Sequence, residues 1–157
     1  MKIVFLCVGA TNESYLKEGC QIFENRLKHY IPTKTEVIPD LKKGNKLPTA
    51  ERKKKEGDLI LKALHPGDHL ILLDEKGKEF SSRAFSNFLQ KKMLTGIKRL
   101  VFVVGGAFGF SDEVYAKANG KISLSQMTFS HQMIRLFFLE QVYRACTIMK
   151  NEPYHND

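Results

Sequence analysis

The chain has 157 residues, of which 43% are hydrophobic and 27% are charged. This length suits one domain, residues 1–157, and this composition excludes a disordered chain. Lysine and arginine number 25 against 17 aspartates and glutamates, and the resulting net charge of +8 favours a polyanionic partner such as nucleic acid without demanding one.

Buried strands and amphipathic helices are predicted to alternate along the chain. A continuous apolar run at 3–8 indicates a first strand, and apolar residues then recur at helical spacing from Tyr15 to Tyr30, before Pro32. A second strand at 35–38 leads into a Lys- and Gly-rich stretch, 41–48, that is predicted to be an exposed loop. A helix at 49–65, a strand at 68–74, and a helix capped by Ser81-Ser82 and ended by Gly96 come next.

The last third of the chain continues this alternation. The run at 100–104 is the most strand-like of all, and a short helix at 111–118 and a brief strand at 122–124 follow it. Ser130 is the expected N-cap of a long final helix that runs from His131 to about Met149. Strands that alternate with helices predict a single α/β domain with a mostly parallel sheet.

The final helix is apolar on every side. A helix packed on one face of a sheet shows a single apolar stripe, so this pattern predicts burial on at least two sides, either by threading into the domain or in a subunit interface. We favour a homodimer through this helix. Its apolar residues are Met133, Ile134, Leu136, Phe137, Phe138, Leu139, Val142, Tyr143, Ala145, Cys146, Ile148 and Met149.

Cysteine and histidine spacing argues against disulfides and metals. Cys7, Cys20 and Cys146 are odd in number and form no CxxC pair, which indicates a reducing compartment. No two of the five histidines form an HExxH motif, and no metal site is expected. No run approaches the ~20 apolar residues that would span a bilayer, and we expect a cytoplasmic protein with no membrane partner.

A glycine-rich turn, 105–109, follows the strongest strand. The ends of such strands are where open α/β sheets bind ligands. Val104 stands where the first glycine of a dinucleotide fingerprint would be, and no Gly-Lys-Ser/Thr follows, so the turn is neither that fingerprint nor a P-loop. It is either a ligand loop or a tight turn between a strand and a helix.

Several polar features admit two interpretations each. The basic runs at 42–43, 52–55, 91–92 and 98–99 are either solvated faces or phosphate contacts, which give affinity without sequence selectivity. Arg135 has no obvious partner on its own helix, and a partly buried arginine often meets a carboxylate, a phosphate or a backbone carbonyl. Tyr154 and His155 belong either to a frayed tail or to a nucleobase site. In such a site the tyrosine ring would stack on a base and the histidine would serve as a titratable group.

Four segments in a fixed order resemble the ribosomal RNA large subunit methyltransferase H family. They are VGGAFG at 104–109, LSQMTFSHQMIR at 124–135, LEQVYRA at 139–145 and PYH at 153–155. The resemblance implies a SPOUT-type α/β fold with a C-terminal trefoil knot. It also implies a homodimer that transfers a methyl group from S-adenosylmethionine to N3 of a pseudouridine in the helix-69 loop of 23S rRNA within the ribosome.

The resemblance also assigns site residues. His155, with Tyr154 beside it, is the first candidate for the group that takes the N3 proton, and Arg135 is the second-rank candidate, for substrate phosphate or developing negative charge. Asn156 and Asp157 stand where family members often have a basic residue. The cofactor residues carried over by motif are Leu73, Gly105, Leu124, Ser125, Gln126, Met127, Thr128 and Phe129.

Three rival interpretations remain. A knotted methyltransferase acting on tRNA would share the cofactor motif. A non-catalytic ribosome-binding protein of the same fold would bind rRNA and show no affinity for S-adenosylmethionine. A flavodoxin-like nucleotide-binding module would be monomeric, and the missing phosphate-binding loop counts against it.

Overall fold

In the part of the chain that the structure describes, five parallel strands form one sheet and five helices cover its two faces. The computed structural model describes residues 1–41 and 46–156. The strands are β1 (Lys2–Val8), β2 (Thr33–Ile38), β3 (His69–Glu79), β4 (Arg99–Val104) and β5 (Gly120–Ser123). The helices are α1 (Ser14–Leu27), α2 (Thr49–Ala63), α3 (Ser82–Leu94), α4 (Asp112–Lys117) and α5 (Met133–Met149). The strand order is β2–β1–β4–β3–β5, and every neighbouring pair is parallel.

Both faces of the sheet are buried, which explains why its central strands are continuously apolar. Side chains alternate across a strand, so Ile3, Phe5 and Cys7 of β1 join one core while Val4 and its alternate neighbours join the other. The first core lies under α1, α3 and α5, and the second lies under α2 and α4. The predicted α/β class and parallel sheet are confirmed.

Helix α5 is enclosed by the sheet, α1 and α3. The ring of Phe138 lies 4.6 Å from that of Phe5 and 4.8 Å from that of Phe102, between centroids. A Cβ on Gly19 of α1 would lie only 2.9 Å from Leu136, which shows how closely the two helices approach. Burial on more than one side accounts for the apolar circumference of this helix, while a homodimer through it stays a prediction.

The largest difference from the sequence prediction is the length of β3. The predicted strand ends at Asp74, whereas β3 continues to Glu79 because it pairs with β5 a second time beyond an irregularity between Leu73 and Lys78. Gly77 allows this close approach, since a Cβ there would lie 2.5 Å from the backbone of Ile122. The sequence of this extension is polar and carries no strand signal of its own.

Helix ends differ from the prediction by a few residues. Helix α1 ends at Leu27, and the backbone N–H groups of Tyr30 and Ile31 still bond to the Leu27 carbonyl. The Oγ of Ser81 accepts a hydrogen bond from the Ala84 N–H, so the predicted cap of α3 is confirmed. The predicted loop at 41–48 and the basic pair at 42–43 fall largely outside the described residues.

Candidate functional site

A cavity of about 460 Å³ opens where β3 and β4 stop pairing, at Leu73 and Val104. This is the carboxyl end of both strands, where parallel sheets bind ligands, and the volume is typical of a small-molecule site. Leu73, Val104 and Ile122 supply apolar wall from three neighbouring strands. The cavity is therefore a direct product of the sheet order.

The glycine loop, residues 105–109, forms one wall of the cavity. The N–H of Gly109 donates to the Gly106 carbonyl at 3.2 Å, and Gly109 has φ +77°, a conformation that favours glycine. A Cβ on Gly105 would lie 3.2 Å from the Phe110 ring. The segment is therefore a tight turn that lines the cavity, and its role as a ligand loop stays a prediction.

A second wall is the β5–α5 loop, residues 124–132. Serine side chains fix its shape: the Oγ of Ser123 donates to the Ser125 carbonyl, and the Oγ of Ser125 accepts from the Met127 N–H, both at 2.9 Å. At its far end, the Oγ of Ser130 accepts from the Met133 N–H at 3.1 Å, so Ser130 makes the predicted capping bond although α5 starts at Met133. Short polar side chains thus hold this loop open beside the glycine loop.

The cavity gathers all but one of the residues that the resemblance assigns to the cofactor. Gln126 differs, since its side chain does not line the cavity and its Nε2 donates to Glu79 Oε2 at 3.2 Å. The residues that line the cavity are Leu73, Gly105, Leu124, Ser125, Met127, Thr128 and Phe129.

Arg135 is buried and lies outside this cavity. Its guanidinium donates to the carbonyls of Val8 (2.7 Å) and Gly9 (2.9 Å) and to the Thr11 hydroxyl (3.0 Å), and its Nε donates to the His131 carbonyl (3.1 Å). It lines instead a separate cavity of about 320 Å³ between β1 and α1. These contacts join the end of β1 to the start of α5, and a role toward substrate stays a prediction.

Tyr154 and His155 also lie outside the cavity. The Tyr154 hydroxyl donates to Glu140 at 3.0 Å, and its ring meets that of Tyr143 edge-on at 4.8 Å. Arg144 contacts both tail residues, with its guanidinium over the Tyr154 ring and its Nη1 at 3.3 Å from His155 Nδ1. The tail therefore folds back on α5 of its own chain, away from the cavity.

The cavity holds titratable residues that the sequence analysis did not single out, together with Lys53 of the basic run 52–55. Burial, followed by the nearby charge of Arg135, lowers the pKa of His131, so its ring is neutral at pH 7. Burial and a hydrogen bond to Asp74 raise the pKa of Tyr115 to about 12. Lys53 and Lys76 also line the cavity. These residues come from separate elements, and only His131 stands inside a segment that the resemblance covers.

Neither a metal-binding cluster nor a membrane-spanning helix is present among the described residues. Among residues 1–41 and 46–156, no group of three or more His, Cys, Asp or Glu side chains is placed to hold a metal ion. Within the same ranges, no helix has the length and apolarity needed to cross a bilayer.

Comparisons with known proteins give the class of enzyme. Residues 1–155 match the family described as "Predicted SPOUT methyltransferase". The chain is 61% identical over 157 residues to "Ribosomal RNA large subunit methyltransferase H" of Parabacteroides distasonis, with 100% of both chains covered. It is 56% identical over 156 residues to the protein of that name from Christiangramia forsetii, with 99% of both covered. The chain belongs to the SPOUT methyltransferase family.

A solved structure agrees on the fold. A probable methylase family protein from Haemophilus influenzae Rd KW20 superposes with a TM-score of 0.57 over 95% of this chain and 66% of that one. At 9% identity this likeness shows the fold alone. The predicted family is thus confirmed by sequence, and the protein is a methyltransferase of the SPOUT class.

Proposed function

We propose that the protein methylates N3 of a pseudouridine in the helix-69 loop of 23S rRNA on the ribosome, with S-adenosylmethionine as methyl donor. The observation that carries this proposal is the cavity at the ends of β3 and β4, whose walls include most of the residues assigned to the cofactor. The printed name of the relatives, which specifies large-subunit ribosomal RNA, supports the substrate class.

The residues of the cavity fit S-adenosylmethionine. Apolar side chains such as Leu73 and Leu124 offer a surface for the adenine ring, and the two loops offer backbone N–H and carbonyl groups for its edges. Lys53 and Lys76 face the same space as Asp74 and Glu75, so both charges of a zwitterionic amino-acid group find a counterpart. When bound, this cofactor supplies a methyl group that its sulfonium makes electrophilic.

The chain's own contribution is alignment, exclusion of water and removal of a proton. The apolar wall and the two loops hold the reacting groups in line, and this positioning accounts for much of the rate enhancement in a direct displacement. The N3 proton must leave for that nitrogen to attack. His131 lines the cavity and its pKa is lowered, so within one chain it is the proton acceptor at hand, whereas in the homodimer His155 takes that role.

A homodimer would complete the site with the tail. Helix α5 has 17 residues and is about 25 Å long, and it separates the tail from the cavity at its other end. Residues 150–155 extend about 20 Å at most, so their backbone ends short of the cavity in the same chain. In our proposal, a second copy brings Tyr154 and His155 to the cavity mouth, where His155 takes the N3 proton.

An apolar patch near the cavity suits this second copy. Phe129 and Phe137 are 38% and 40% exposed, and their rings pair at 4.8 Å between centroids. Met127, which also lines the cavity, is 77% exposed. Aromatic residues and methionine are enriched at protein interfaces, and contiguous exposed apolar surface commonly marks one. The trefoil knot that the resemblance implies belongs to the same proposal.

Electrostatics support an RNA substrate. Each chain carries +8, so a dimer would carry about +16, which favours phosphate contacts and a strong dependence of affinity on salt. Lys53 lies at the cavity within the basic run 52–55, and among the described residues no ion pair involves it. That side chain is available to a backbone phosphate of the substrate.

The deciding experiment is methyl transfer from labelled S-adenosylmethionine to purified ribosomes. Ribosomes whose helix-69 uridines were never isomerised serve as the matched control. We expect label on the pseudouridine-containing ribosomes and far less on the control. Equal label on both would refute the pseudouridine requirement, and label on tRNA alone would give the protein a tRNA substrate. An absence of both transfer and cofactor binding would identify a non-catalytic ribosome-binding protein.

A further inference from the structure

Glu56 of α2 is a buried carboxylate with one oxygen left unpaired. The residue is 3% exposed, and its Oε1 accepts a hydrogen bond from Arg52 Nε at 2.8 Å. Among the described residues, its Oε2 has no hydrogen-bond partner. Buried carboxylate oxygens are normally satisfied, because leaving one without a donor is costly. An unpaired oxygen at this depth therefore calls for an explanation.

The unpaired oxygen lies against the glycine loop. A Cβ built on Gly106 would stand 2.4 Å from Glu56 Oε2 and 3.1 Å from its Cδ. Only a glycine can occupy this position without displacing a carboxylate that is buried and already paired with Arg52. The carboxylate thus sits directly behind the backbone of a loop whose other side faces the cavity.

Arg52 contacts the same loop at a second point. Its guanidinium lies 5.2 Å from the centroid of the Phe108 ring, and Phe108 lines the cavity. The Arg52 and Glu56 side chains are 19% and 4% exposed, so this ion pair is far less screened than a surface pair. One ion pair on α2 therefore lies against two positions of the glycine loop.

Helix α2 itself is fixed close to the loop. Gly57, the next residue, allows the approach, since a Cβ there would lie 2.3 Å from the Oγ of Ser111, at the start of α4. Helix α2 is therefore packed against the segment that directly follows the loop. The position of Glu56 behind Gly106 is set by packing as well as by charge.

We infer that Arg52 and Glu56 are positioning residues for the methyl-donor cavity, and that the buried pair fixes the glycine loop, 105–109, from the side opposite the cavity. The inference rests on the proposed function in that it takes the cavity to bind S-adenosylmethionine. Neither carboxylate oxygen needs to touch the cofactor. The pair acts by keeping Gly106 and Phe108 at the cavity wall.

The test compares two ion pairs of the same helix. Glu56→Gln keeps the shape of the side chain and removes its charge, while Glu51→Gln does the same to the exposed Glu51–Lys55 pair, which has the same i,i+4 spacing. Calorimetric titration with S-adenosylmethionine should give a dissociation constant about tenfold higher for Glu56→Gln and unchanged for Glu51→Gln. Amide hydrogen exchange at 105–109 in the ligand-free protein should be faster only in Glu56→Gln.

A double variant separates positioning from folding. Arg52→Gln/Glu56→Gln leaves no uncompensated buried charge, so its thermal midpoint should lie near the wild type while its affinity stays weakened. A Glu56→Gln affinity within twofold of wild type, with unchanged loop exchange, would overturn the inference and leave the proposed function intact. If the wild-type protein does not bind S-adenosylmethionine, the cofactor proposal is refuted. Amide hydrogen exchange at 105–109 would still test whether Glu56 positions the loop.

Discussion

Replacement of Arg135 by methionine should strongly destabilise the fold. Methionine keeps an apolar stem of similar length, so the change isolates the guanidinium, which makes four hydrogen bonds in a 2% exposed position. The carbonyls of Val8 and Gly9 would lose their charged donor while remaining buried. Hydrogen bonds to charged groups contribute about 1.5–3 kcal/mol each and do not add fully, so we expect a loss of about 3–5 kcal/mol.

Urea unfolding followed by circular dichroism measures this loss. The matched control is Arg144→Met on the same helix, whose side chain is 25% exposed and pairs with Glu140 at 2.6 Å. Screening by solvent limits such a pair to about 1 kcal/mol or less. If Arg135→Met unfolds within about 1 kcal/mol of the wild type, the four contacts do not stabilise the junction of β1 and α5, and the reasoning fails.

Three further predictions concern stability and thiol chemistry. Gly77→Ala should cost about 2 kcal/mol or more in urea unfolding, because the new Cβ would meet the β5 backbone at 2.5 Å; an unchanged midpoint would contradict this. Burial, followed by the charge of a neighbouring lysine, lowers the pKa of His69 from 6.5. The unfolded chain therefore binds a proton more readily than the folded one, and the free energy of unfolding should fall as the pH drops below 6.5. Thermal midpoints measured between pH 7.5 and 5 should fall less for His69→Gln than for the wild type. Burial raises the pKa of Cys7 and Cys146 to about 12 and that of the half-buried Cys20 to about 11. A disulfide reagent at pH 8 should therefore modify Cys20 first, and slowly, because the thiolate is the reactive form. Rapid labelling of all three cysteines in the native protein would refute this.

Most of the fold was predictable from local pattern. The buried strands β1 and β4 are apolar on both faces. A continuous apolar run of this kind can be recognised as a strand from its own sequence, without knowledge of the strands beside it. The extension of β3 was not predictable, because its residues are polar and its pairing depends on a contact between Gly77 and Ile122. Non-local pairing of this kind leaves no periodic trace in the sequence.

The site was predictable in part. The motif at 124–129 and the glycine loop carry the resemblance and do line the cavity, apart from the side chain of Gln126. Glu56 gave no signal, since it follows the lysine-rich run 52–55 and resembles the end of a solvated face. Its burial follows from contact with Gly106, fifty residues further along the chain, and only the folded structure brings the two together.

The residues that line the cavity are spread along the chain, and their positions determine when a growing chain can first bind a ligand there. The lining residues run from Lys53 to Ile134, so β1, α1 and β2 contribute none of them. A ligand present at a hundred times its dissociation constant stabilises a folded protein by about 2.7 kcal/mol. A nascent chain shorter than 134 residues has no complete cavity and gains none of that stabilisation. The early strands therefore pair without help from a ligand in this cavity, and such a ligand can assist folding only once α5 has begun to form.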